Sequence, residues 1–191
     1  MARPSVAAQR KEQIVDAAIR TIGAHGITGA TLDRIAQEAG MSRGHVRHFV
    51  GNRDELLVET ARSFYFGEPG ATSILPPGAA TVAEALAYLF GPEFTAPGTQ
   101  NAVVFGLIEA SRTNPAINDI LIRAYVGAEE TLREMLRAEY PDASAELRDH
   151  VAHGLMSTAM HNVFMNDIDD SPERNEAARA AADWMIGMLR G

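Results

Sequence analysis

Apolar residues recur at helical spacing along the chain, and the pattern predicts an all-α protein. Ile14, Ala18, Ile19 and Ile22 form the first stripe, on a helix over about 8–24 that Gly26 and Gly29 close. Thr31 is a candidate N-cap, ahead of Leu32, Ile35, Ala36 and Ala39. Gly40 follows at once, where a left-handed residue stops a helix. Ser42 is then a fresh N-cap for a third helix, with Val46 and Phe49 facing inward and Arg43, His45, Arg47 and His48 facing out. The small Ala36 lets the second and third helices approach closely. Asn52, with Glu55 three residues on, resembles a capping box and opens a fourth helix over about 53–66.

The remainder also reads as helix. Residues 67–80 carry three Pro and three Gly and read as a linker or a mobile flap. A helix over about 81–90 precedes a broken stretch at 91–100. The next helix, about 99–112, is strongly apolar through Val103, Val104, Phe105, Leu107 and Ile108. Asn114 and Pro115 start another by N-cap and N1 chemistry, running to about 139. Two more, over about 143–166 and 172–190, finish the chain. There is no internal repeat and no low-complexity tract.

Composition narrows the classes. A length of 191 residues suits one compact domain or a small one plus a larger one, and 46% hydrophobic residues can build a core. No run of 18 apolar residues suggests a membrane span, and the stretch 1–13 lacks an apolar signal core. With no cysteine, disulfides and thiolate metal sites are excluded. A bacterial cytoplasmic protein is the simplest fit. The net charge of −8 is unevenly spread. Residues 1–62 hold nine Arg and Lys against seven Asp and Glu, whereas residues 63–191 hold eight against 18. Such asymmetry orients a molecule on a duplex and limits non-specific binding.

The helix pair around Gly40 has the form of a helix-turn-helix, whose second helix enters the major groove. Gly26, Thr31, Ile35–Ala36, Ala39–Gly40, Ser42, Gly44, His48 with Phe49, Arg53 and Leu56 resemble the DNA-binding domain of the tetracycline-repressor-like (TetR) family of bacterial regulators. The resemblance spans about residues 8–60. It implies that Thr31, Ser42, Arg43, Gly44, His45, Arg47 and His48 meet DNA and that Arg53 meets a phosphate. Arg43, His45 and Arg47 are then the residues for base edges or nearby phosphates, and Thr31, Ser42, His48 and Arg53 those that fix register. The chain departs from the family at Arg47, usually Tyr, and at Val50, usually aromatic.

One recognition helix binds too weakly for regulation, so two-fold pairing on a palindromic operator is expected. Two stripes on the last two helices are candidate dimer surfaces: Leu147, Val151, Leu155, Ala159 and Val163, and Ala178, Ala181, Ala182, Met185 and Met188. Spacing alone equally allows both to face the monomer's own core. The resemblance favours a four-helix interface from two chains, and a small-molecule effector held in the C-terminal bundle. Phe66, Phe90, Phe105, Ile108, Tyr125, Met156, Met160 and Phe164 are the candidate lining residues, in a region that also holds Phe64 and Phe94. For any one of them, ordinary core is the commoner assignment, and the case for a cavity comes from the resemblance. His150, His153 and His161 share a helix, but His153 and His161 are too far apart to hold one metal ion. No metal or cofactor is expected, and no GxGxxG, Walker A, HExxH, GxSxG or Glu-x-x-His pattern points to an enzyme.

The expected architecture is therefore an N-terminal three-helix DNA-binding domain at 1–52 and a helical ligand-binding and dimerisation domain at 53–191. The expected function is that of a ligand-responsive DNA-binding transcriptional regulator, a repressor released from its operator by a small, largely apolar molecule. A helical protein-interaction module and a helical-bundle enzyme are the alternatives.

Overall fold

The computed structural model describes residues 6–68 and 70–190. Residues 1–5 of the stretch read for a signal core, Pro69 of the segment 67–80, and Gly191 lie outside the described residues. Among the described residues the elements are α1 Val6–Gly29, α2 Leu32–Glu38, α3 Arg43–Val50, α4 Arg53–Phe66, α5 Val82–Leu89, α6 Pro92–Thr95, α7 Thr99–Ser111, α8 Pro115–Glu139, α9 Ala145–Ile168 and α10 Pro172–Gly187, with a closing 3-10 turn at Met188–Arg190. No strand occurs among them. The expected all-α class holds.

The chain divides into two compact units, neither of them a single stretch of sequence. The first comprises residues up to 68 together with 98–121; the second comprises 69–97 and 122–191. α4 stays with the first unit because Leu56, Leu57, Thr60 and Ala61 form its buried face, and it packs on α1. α7 joins the same unit by lying along α1. Two glycines permit that approach. A Cβ at Gly23 would sit 2.1 Å from Thr99 Cγ2, and one at Gly106 would sit 3.1 Å from both Ile22 Cγ2 and Ile27 Cβ. The core of this unit is built from Ile14, Ile22, Ile35, Val46, Leu56 and Leu107, all fully buried. α1 bends at Gly26, whose φ of 68° suits glycine, so the expected end of the first helix is a kink followed by one more turn.

In the second unit, Val82, Leu86, Leu89, Leu132, Leu136, Val151, Leu155 and Ile186 share one core. The segment after residue 70, expected as linker or flap, is partly docked. Ser73 and Leu75 are buried, and the Ile74 amide donates to the Ala124 carbonyl at 3.2 Å. The apolar pair Ile74–Leu75 supplies the adhesion that the Pro and Gly content concealed. The stretch 91–100 contains the unexpected α6, begun by Pro92 at N1 and tightened by the Thr95 hydroxyl donating to the Gly91 carbonyl at 2.9 Å.

The proposed dimer stripe of α9 is corrected. Val151, Leu155 and Ala159 lie in the monomer core, with Leu147 packed against it, and Val163 is half-buried. Such aliphatic residues at helical spacing serve the nearest core first. On α10, Ala182 is core, Ala178 and Met185 are half-buried, and Ala181 and Met188 are exposed. The buried face of α9 continues into Asn162 and Asn166. Asn166 Nδ2 donates to the Thr95 carbonyl at 3.0 Å and to Asn175 Oδ1 at 2.7 Å. Asn162 Nδ2 donates to the same Asn175 oxygen at 2.9 Å. Because the Thr95 carbonyl can only accept, the orientation of all three amides is set. Among the described residues, none donates to the buried Asn162 Oδ1.

The eight candidate effector residues are divided between the two units. Phe66, Phe105 and Ile108 belong to the first unit, and Phe90, Tyr125, Met156, Met160 and Phe164 to the second. Met156 is core, with Phe90 and Met160 packed against it, whereas Ile108 and Phe164 are 45% and 48% exposed. A large apolar side chain is as useful in a core or on an outer face as in a cavity, so residue type alone did not sort them.

Candidate nucleic-acid interface

The α2–turn–α3 device is assembled by caps. Thr31 accepts from the Arg34 amide at 3.3 Å, and Ser42 accepts from the His45 amide at 3.2 Å. Between the helices, the Gly40 amide donates to the Gln37 carbonyl and the Met41 amide to the Ala36 carbonyl, at 3.1 and 2.9 Å. These two bonds are the Schellman pattern, which needs a left-handed residue at its centre; Gly40 has φ 65°. The turn is thus fixed by backbone geometry, and α3 leaves it at a defined angle.

α3 is held by Val46 and Val50, both buried. The expected inward residue Phe49 is only half-buried and instead sets its ring edge-on against His48, centroids 5.1 Å apart. Position 50, one turn after 46, completes the inward face that spacing of three had assigned to 49. Arg43, His45, Arg47 and His48 are exposed, so the four side chains expected to face solvent do so. Thr31, Ser42 and Gly44 are exposed beside them. An eight-residue helix is about 12 Å long, and the major groove is about 12 Å wide. No carboxylate lies on α3 itself.

Arg53, expected to meet a phosphate, also makes hydrogen bonds within its own unit. Its Nε donates to the Ala30 carbonyl at 2.9 Å, and one Nη donates to the Ile27 carbonyl. Its guanidinium thus ties the start of α4 to the segment entering α2. The preceding cap is complete: Asn52 Oδ1 accepts from the Glu55 amide at 3.0 Å, and Glu55 Oε2 accepts from the Asn52 amide at 2.7 Å. Arg53→Ala is expected to loosen this corner and cost roughly 1.5–3 kcal/mol, the range for hydrogen bonds from a charged donor. Urea melts of the full chain check this, and an unchanged midpoint would show the tie to be idle.

Two residues of this face were missed. Asp33 pairs with Arg43, Nη1 to Oδ2 at 3.0 Å. Arg34 is exposed and donates to the Gly29 carbonyl at 3.2 Å. Their position in the first turn after Thr31 is the signal that places them beside the face.

Other candidate chemistry does not assemble. His153 Nδ1 lies 3.4 Å from Glu129 Oε2, and its Nε2 lies 3.4 Å from Ser157 Oγ. Among the described residues no three His, Cys, Asp or Glu side chains are grouped to hold a metal ion. No helix among them is long and apolar enough to cross a membrane.

Comparison with known proteins agrees with this geometry. Residues 14–60 match the family described as bacterial regulatory proteins, tetR family. A 54-residue stretch, 28% of this chain, is 48% identical to the HTH-type transcriptional regulator BetI of Agrobacterium fabrum. The chain spans about a quarter of that relative's length, 26%. The fold as a whole resembles a transcriptional regulator from Rhodococcus sp. Rha1, with a TM-score of 0.70 at 18% identity, covering 94% of this chain and 95% of the other. It also resembles the multidrug binding protein EbrR crystallised with imidazole, with a TM-score of 0.61 at 22% identity and 96% of each chain covered. The stretch 14–60 is thus similar to the tetR family of bacterial regulatory proteins, and α2 and α3 within it fold as a capped helix pair.

Proposed function

We propose that the protein is a homodimeric transcriptional regulator that binds a palindromic operator and releases it when a small, largely apolar effector occupies the helical bundle. The observation that carries the reading is the capped α3 with Arg43, His45 and Arg47 exposed along it. Two copies on a two-fold axis would read half-sites one helical turn apart, ~34–36 Å, or somewhat more. The last two helices remain the proposed seam, through outward residues rather than the α9 stripe. Phe164 and Ile168 on α9, Trp184 on α10 and Met188 just beyond it are exposed large apolar side chains, the kind of residue that a partner surface covers. The effector reading is supported by the family and by the likeness to EbrR. It requires the effector to prefer the DNA-incompetent state, about 1.4 kcal/mol for each tenfold loss of operator affinity. A cytoplasmic location follows from that role.

Arg47→Ala tests the DNA assignment. Arg47 is exposed and makes no ion pair among the described residues, so its loss should leave the melting curve unchanged. Operator affinity, by fluorescence anisotropy at fixed salt, should fall about tenfold or more, the cost of losing roughly 1–3 kcal/mol of contact. The dependence on salt should also become shallower by about one phosphate's worth. Unaltered affinity would rule out this use of α3.

A further inference from the structure

Asp33 stands in the first turn of α2, and Arg43 opens α3. Arg43 Nη1 lies 3.0 Å from Asp33 Oδ2 and 3.4 Å from Oδ1. The two side chains are 60% and 66% exposed. A pair so open to water contributes little to stability. A carboxylate on a face that meets phosphate also weakens non-specific attraction. What the pair does achieve is geometric. Asp33 engages Nη1 alone. The N–H of Nε and the adjacent N–H of Nη2 form the other edge of the guanidinium plane, two parallel donors that make no hydrogen bond among the described residues. That fork matches O6 and N7 of guanine in the major groove.

We propose that Asp33 is a positioning residue: it fixes the Arg43 guanidinium so that its free edge reads one guanine in each half-site. Arg43 is then the base-reading arginine, and Arg47, which has no such carboxylate, is left to phosphate. Holding the guanidinium before DNA arrives removes part of the rotamer entropy that a long side chain loses on binding. The carboxylate also rejects a second mode, because an Arg43 swung out to a phosphate would leave Asp33 unpaired beside the backbone. The proposal rests on the DNA-binding reading above.

The test is selection from a randomised duplex pool at fixed salt, with the full chain as wild type, Asp33→Ala, Asp33→Asn, Arg43→Ala and Arg47→Ala. Wild type should enrich a two-fold site with guanine at one position per half. Arg43→Ala should lose that preference by about tenfold or more, the discrimination of one bidentate pair. Asp33→Ala should weaken it several-fold at the same position and bind unrelated duplex more tightly. Asp33→Asn, whose carboxamide oxygen still accepts, should fall between. Arg47→Ala should weaken all sequences about equally and keep the guanine. A purely structural Asp33, serving only the start of α2, would instead lower the melting temperature and reduce affinity evenly across sequences; that outcome overturns the proposal. So does an Asp33→Ala preference identical to wild type while Arg43→Ala behaves as expected. If wild type enriches no site, the DNA-binding reading falls, and this one with it.

Discussion

The Ile35→Ala variant is expected to lose about 2–5 kcal/mol of stability, the range for truncating a fully buried aliphatic side chain. Ile35 has no exposed surface and belongs to α2, a helix of only seven residues. So short a helix has little stability of its own and persists because it packs. α2 touches α1 on one side and α3 on the other, so a cavity beneath Ile35 removes the contact that holds the helix pair together. Equilibrium urea unfolding should show a lower midpoint, and operator binding should weaken at temperatures where the corner begins to open. A loss below about 1 kcal/mol would mean that the neighbours collapse into the space, and that packing here is looser than the burial indicates.

Gly106→Leu is expected to be nearly as damaging, by overfilling. The first added carbon already meets Ile22 and Ile27 at 3.1 Å. Both belong to α1, and the remaining leucine carbons have nowhere to go without pushing that helix off α7. Overpacking of this kind typically costs about 1–3 kcal/mol, occasionally more. α1 also packs against α2, α3 and α4, so the displacement is passed to the helices that present the basic face. Operator affinity should fall although residue 106 touches no DNA. Gly187→Ala is the control: nothing lies within 4 Å of a Cβ there, and the melt should be unchanged or slightly raised. A Gly106→Leu protein with wild-type melting and affinity would show that α1 and α7 are not tightly coupled.

The helix-turn-helix was legible in the sequence because its signals are local. Thr31, Gly40, Ser42 and the Asn52–Glu55 box each act on backbone groups within four residues, and all four form as their chemistry dictates. The errors lie where tertiary partners decide. Phe49 and Val50 are both plausible inward residues until α1 and α4 are in place. The Arg53 guanidinium donates to carbonyls 23 and 26 residues away, a tie that no local signal announces. The α9 stripe Val151–Leu155–Ala159 carries the same pattern whether its cover is the same chain or a second copy. The grouping of α4 and α7 with α1 depends on what Gly23 and Gly106 lack, and a missing side chain leaves no hydrophobic pattern to read.

α10 presents Ala177, Ala178, Ala180, Ala181 and Ala182 within six residues, a surface nearly smooth enough to settle at several rotations against α9. The carboxamide chain from Thr95 through Asn166 and Asn175 to Asn162 acts as a key in a slot. Sliding α10 by a turn would strand the buried amides of Asn162 and Asn166, each at about 1–3 kcal/mol. One unmatched oxygen on Asn162 is the standing toll for a helix that can seat in a single phase.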